Sequence, residues 1–206
     1  MRRISISVLS CAIFCCSLAQ ADMLYIDAGP SSFVDDFIES DYVAGSEFVV
    51  VAPITVNFLG YIDIEGDGLT TDHTVGLWDT ATEELLAQTE VTIFSDTLAA
   101  GNGTAQWFIE DIGFDLVLGP GTYRVAGDAD SEADALTGDQ IGNGVTVSQG
   151  YVRTEFFEGG FAYPDLTFSS DAIRATLGQR AVPEPGMAMI IGISIIAGCL
   201  QRRRVR

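Results

Sequence analysis

Short apolar runs with alternating polar positions recur along the middle of the chain, each closed by Gly, Asp, Asn or Pro, and no helical periodicity of useful length interrupts them. The pattern predicts strands over Glu47–Val51, Ile54–Ile62, Thr74–Asp79, Leu85–Phe94, Gln106–Glu110, Gly113–Leu118, Thr122–Gly127, Val145–Ser148, Tyr151–Phe157 and Phe161–Phe168. Strands spaced this closely between turn residues make an all-β domain, a single sandwich of jelly-roll-like form. Alternation assigns faces: Ile54, Val56 and Phe58 share one, and Val75 and Leu77 share another against Thr74 and Gly76. FDLVLGPGTYRVAGD predicts a hairpin turning at Gly119-Pro120-Gly121, with Tyr123 and Val125 on the face opposite Thr122 and Arg124. The small, acidic stretch Asp128–Gly144 predicts a long loop.

The two ends break the β pattern. Arg2 and Arg3 precede an apolar run from Ile4 to Leu18, and Ala19-Gln20-Ala21 then gives a small-x-small cleavage site, the layout of a secretory signal peptide over residues 1–21. Near the other end, Met187–Leu200 is apolar, preceded by Val182-Pro183-Glu184-Pro185 and followed by Arg202, Arg203, Arg204 and Arg206. Its 14 residues make a helix of about 21 Å against a hydrocarbon core of about 30 Å, so it crosses a membrane only marginally. The arginines hold that end on the cytoplasmic side, as Arg2 and Arg3 do at the start. Residues 22–181 are thereby exported and residues 182–206 form a tail.

Charge and cysteine usage narrow the classes. Residues 22–181 carry 28 acidic side chains against four arginines (Arg124, Arg153, Arg174, Arg180), with no lysine, a net of −24. A field of that sign repels nucleic acid, so no nucleic-acid partner is expected. All four cysteines (11, 15, 16 and 199) fall in the ends, so the exported part depends on its apolar core without disulfides.

Candidate chemistry is sparse. In GYIDIEGDGLTTDHTVGLWD, Asp63, Glu65 and Asp67 alternate ahead of Gly68, with Asp72 able to close the loop; this is either a weak calcium candidate or an acidic turn between strands. Thr74 stands where an EF-hand starting at Asp63 needs its bidentate Glu, which removes that motif. His73 is the single histidine; with no cysteine in residues 22–181 a zinc site is not expected, and with no G-x-S-x-G elbow a Ser-His-Asp set is not expected either. Trp78, Trp107, Tyr61, Tyr123, Tyr151 and Tyr163 serve either as a platform for sugars or as core, and Trp78 is either exposed or covered by a second layer. No catalytic residues and no cofactor are predicted.

VPEP, the short apolar segment and RRRVR, in that order and paired with a signal peptide, resemble the C-terminal sorting signal of the PEP-CTERM proteins of Gram-negative bacteria. The resemblance implies processing by signal peptidase and by a membrane-embedded exosortase that recognises Val182–Pro185. It also implies transient residence in the inner membrane, removal of the tail, and delivery to the cell surface or extracellular matrix. LGYIDIEGDGLTTDHTVGLWD, ELLAQTEV and LVLGPGTYRVAG are similar to a β-sandwich domain often joined to such a tail. The expectation is a non-enzymatic surface or matrix protein. The alternative is a carbohydrate- or calcium-binding module in contact with surface polysaccharide.

Overall fold

A computed structural model describes residues 22–30, 33–35, 42–129, 135–137, 140–155, 161–168 and 172–181. The described residues contain strands and turns and no helix, so the all-β expectation holds. In chain order the strands are β1 (Met23–Leu24), β2 (Ile26–Ala28), β3 (Phe33–Asp35), β4 (Tyr42–Val50), β5 (Ile54–Asp63), β6 (His73–Asp79), β7 (Leu85–Val91) and β8 (Asp96–Ala99). They continue as β9 (Gln106–Leu118), β10 (Gly121–Ala129), β11 (Ala135–Thr137), β12 (Gln140–Gly142), β13 (Val145–Glu155), β14 (Leu166–Phe168), β15 (Ala172–Ile173) and β16 (Ala175–Gln179).

Two antiparallel sheets dominate, one ordered β1-β16-β5-β9-β8 and the other β14-β13-β4-β10-β6-β7. Small ladders β15-β11-β3 and β12-β2 complete the described pairing. Alternate residues of both large sheets enter one buried cluster: Phe48, Val56, Leu59, Val75, Leu77, Phe108, Tyr123, Val125 and Leu177 among them. The opposite parity forms separate clusters. Phe58, Ile62, Trp107 and Ile109 pack with Leu24 and Ala28 on one sheet, while Val43, Trp78 and Ala126 pack under Phe161 and Tyr163 on the other. Each large side chain buried this way contributes about 1.5–3 kcal/mol, so a sandwich-like body stands without disulfides.

Several expectations are corrected. Gly119-Pro120-Gly121 does not close a hairpin: β9 pairs with β5, and β10 pairs with β4 and β6, so the turn crosses from one sheet to the other. Tyr123 fixes that corner, its hydroxyl donating to Gly119 O at 3.0 Å, the geometry of a tyrosine corner. Period-two alternation identifies a strand but not its partner. Val56 and Phe58 face different clusters because the register with β9 shifts between them. The stretch expected as a long loop contains β11 and β12, each pairing with an early strand that the sequence did not announce, β3 and β2. Leu85–Phe94 ends as a strand at Val91, where Thr92–Ser95 turns: Ser95 N–H donates to Thr92 O, and Ser95 Oγ accepts from Thr92 N–H.

Strand β4 begins five residues before its predicted start, through Tyr42-Val43-Ala44-Gly45-Ser46, all buried. Gly45 permits this. A Cβ there would sit 1.9 Å from Val125 O and 2.5 Å from Ala126 Cα, so only glycine lets β10 lie against β4 at that point.

Candidate functional site

Asp63 ends β5 with a nearly buried carboxylate whose oxygens are committed to the chain itself. Oδ1 accepts from Gly66 N–H at 2.9 Å, and Oδ2 accepts from Gly68 N–H and Gln106 Nε2, each at 2.9 Å. Gly66 (φ 73°) and Gly68 (φ 108°) supply the left-handed backbone that curls the loop around it. Glu65 and Asp67 are exposed, and Asp72, also exposed, accepts from Ile93 N–H at 3.3 Å. Among the described residues, no three His, Cys, Asp or Glu side chains come together to hold a metal. Asp63 thus caps the turn that follows β5 through the N–H groups of Gly66 and Gly68.

His73 opens β6, buried, with its ring stacked on Tyr61 at 3.8 Å and 2° between planes. Nδ1 lies 3.3 Å from Asp128 Oδ1, which also accepts from Thr74 N–H at 2.9 Å, and Nε2 lies 3.4 Å from Thr71 Oγ1. The connectivity runs acid, imidazole, hydroxyl. Both imidazole distances exceed the roughly 2.6–3.2 Å reach of a nucleophile–base pair, and one ring face is covered by Tyr61. This arrangement locks the end of β6 to the end of β10. Gly127 makes room for it, since a Cβ there would meet the Tyr61 ring at 2.7 Å.

The aromatic residues considered for a sugar platform go mostly inward. Trp78, Trp107, Tyr61 and Tyr123 are buried, and Tyr163 is half-buried; the side chain of Tyr151 lies outside the description. Trp107 Nε1 donates to Asp27 Oδ1 at 2.8 Å. Trp78 is covered by a second layer, Phe161 resting 5.2 Å from its ring. That layer is held by Arg124, which ion-pairs with Glu47 at 2.9 Å, donates to Pro164 O, and lies 5.0 Å over the Tyr163 ring. Among the described residues, the well-exposed aromatic rings are Phe94 and Phe114.

An open depression of about 320 Å³ is lined by Asp22, Met23, Leu24, Asp27, Leu98, Ala99 and Asn143. Its polar groups are engaged locally: Asp27 Oδ1 accepts from Ala28 and Gly101 N–H as well as Trp107, and Asn143 Nδ2 donates to Leu24 O. Burial raises the phenol pKa of Tyr25, against a backbone hydrogen bond to Thr55 that lowers it, and raises that of Tyr123 together with the charge of Asp79. Tyr163 is raised chiefly by burial, with Arg124 opposing. For Arg180, burial opposes the charge, and Asp96, Asp111 and Asp22 outweigh it, so its pKa rises.

Arg180 is a feature that sequence reasoning missed. The residue just past β16 donates its backbone N–H to Asn57 Oδ1 at 2.7 Å and its Nη1 to Asp96 Oδ2 at 2.6 Å, while Nε lies 2.7 Å from Asp111 Oδ1. These partners come from β5, β8 and β9.

No protein-family model matches the chain, and no curated protein matches it. The predicted cleavage residues Ala19 and Ala21, the Val182, Pro183, Glu184 and Pro185 element, the apolar stretch 187–200 and Arg202, Arg203, Arg204 and Arg206 lie outside the described residues. Among the described residues, no helix is long and apolar enough to cross a membrane.

Proposed function

We propose that this chain is an exported, non-enzymatic surface or matrix protein: a jelly-roll-like β-sandwich carried out by a signal peptide over residues 1–21 and sorted by the tail over residues 182–206. Membership of the PEP-CTERM group, with signal peptidase and exosortase as processing partners, is part of this proposal. The winding of the body supports the jelly-roll form. Consecutive strands β4 and β5 lie in different sheets, and so do their partners β10 and β9, which are also consecutive.

The observation that carries the reading is the close succession, along the chain, of a strand end fastened to the body and the proline-flanked element. Strand β16 ends at Gln179, Arg180 is fastened to three neighbouring strands, and the Pro183-Glu184-Pro185 element begins three residues later. A fastened body joined directly to a proline-flanked segment, an apolar stretch of about 21 Å and four arginines suits a tail that is held briefly and then cut. Asp63, considered for calcium, and His73, considered for a catalytic set, both make contacts within the fold. The carbohydrate- and calcium-binding alternative is weaker on this geometry, because the candidate aromatics are mostly buried and the acids do not converge.

Replacing Pro183-Glu184-Pro185 by three alanines lets helix continue outward from the apolar stretch and removes the extended segment. In its own host, the variant should remain in the membrane fraction while the wild-type protein leaves it. Equal release of both would refute sorting through this element.

A further inference from the structure

Strand β16 lies between β1 and β5 inside a large sheet although it is the last strand described, so the residue that follows it guards an interior position. The receptor for that residue is built by an irregularity. Val56 pairs with Leu116 and Phe58 with Asp111, so residues 112–115 form a bulge opposite Asn57, turning through Gly113 at φ 83°. Asn57 Nδ2 donates to Asp115 Oδ1 at 3.1 Å, which orients its Oδ1 toward the Arg180 N–H. Asp111 on β9 and Asp96 on β8 flank the guanidinium. A bulge three residues in excess, one bridging amide and two carboxylates thus converge on one arginine in a stretch that has only four.

Between this clasp and Pro183 stand Ala181 and Val182. Two extended residues span at most about 7 Å, so an enzyme working on the element meets the clasp almost at once. We infer that Arg180, held by Asn57, Asp96 and Asp111, is a positioning residue for tail removal: a stop that confines the cut to bonds beyond it and keeps β16 in its sheet once the tail has gone. The inference rests on the proposed processing of the tail. The clasp also lowers the negative charge at this spot, because the bound guanidinium offsets one of the two flanking carboxylate charges where a new terminal carboxylate would emerge from a strongly acidic body.

Trypsin tests the clasp without any processing enzyme. Cleavage after arginine requires the guanidinium to enter the protease pocket, and a guanidinium held by Asp96 and Asp111 is withheld. The full chain, made in a host without an exosortase and kept in mild detergent, is treated briefly with trypsin and its fragments are weighed. In the Asp96→Asn, Asp111→Asn variant, fragments ending at Arg180 should form about two- to thirtyfold faster than in the wild type, the range expected for two pairs whose carboxylates are more than half exposed. Cleavage after the buried Arg124 and Arg174 reports global unfolding, and dividing by it isolates the clasp. Equal normalised rates would overturn the clasp.

The second arm uses the chain's own host, where wild-type protein should show one C-terminus beyond residue 181 and the variant a ragged set reaching short of 180. A variant that is trypsin-sensitive but ends in the same place would overturn the stop role. A wild-type tail that is never cut would remove the processing proposal and the stop with it, while the trypsin comparison would still decide the clasp.

Discussion

Asp63 separates an acid-capped turn from a calcium site, and Asp63→Asn decides between them. The carboxylate receives three donors, from Gly66, Gly68 and Gln106, and is only 6% exposed. Asparagine keeps one oxygen. Its best placement preserves the two bonds to Oδ2 and turns an amide NH2 against the Gly66 N–H. Losing a charge-assisted bond and setting the asparagine NH2 against the Gly66 N–H costs about 1–3 kcal/mol. For a body of this size that lowers the melting temperature by about 2–12 °C. Thermal unfolding of the full chain in detergent, followed by circular dichroism, measures it with and without millimolar calcium. The turn account predicts that the variant melts lower by this amount in both conditions, with calcium and magnesium acting alike on both proteins through screening. A wild-type melting temperature that rises with calcium specifically, and a variant that loses the rise, would refute the account, since only a bound ion stabilises by mass action in that way.

Gly45→Ala should destabilise by about 3 kcal/mol or abolish folding, because its Cβ would strike the β10 backbone at Val125 O, whereas Gly119→Ala, with nothing within 4 Å, should stay within about 0.5 kcal/mol of wild type; urea midpoints compare them. Stability should also fall in alkali. Tyr25, Tyr123 and Tyr163 have folded-state pKa values raised above the ordinary 10.0, so the fold favours their neutral phenols. Their contribution is intact below pH 10 and is lost as pH rises through the folded values. A midpoint of unfolding that is unchanged or increased between pH 9 and pH 11 would contradict this.

The strands with clean alternation were legible: Val75 and Leu77, and Tyr123 and Val125, face inward as their spacing predicts. Pairing was not legible, because a period of two is the same whether the next strand is a neighbour or lies across the core. The Gly119–Gly121 turn shows this, since it carries hairpin chemistry but joins different sheets. Strand β16, Ala-Thr-Leu-Gly-Gln, gives almost no strand signal of its own, yet it occupies an interior place because β1 and β5 flank it. Its Gly178 is required by the close approach of Phe58 and Met23 O.

Acid spacing around Asp63 was visible, but spacing alone does not say whether oxygens face an ion or the chain's own N–H groups. Burial of Trp78 depended on Phe161, 83 residues away in sequence. The Arg180 clasp joins residues up to 123 positions apart and had no local signature at all. The proposed sorting element is the reverse case: its residue pattern stands in the sequence, and it lies outside the described residues.

Intact-mass analysis of the mature wild-type protein, recovered from the surface or medium of its own host, tests the central claim most directly. The account predicts one species that begins at Asp22 and ends within residues 182–185. Recovery of protein that still carries Arg206 would make the apolar stretch a lasting anchor and would contradict the account.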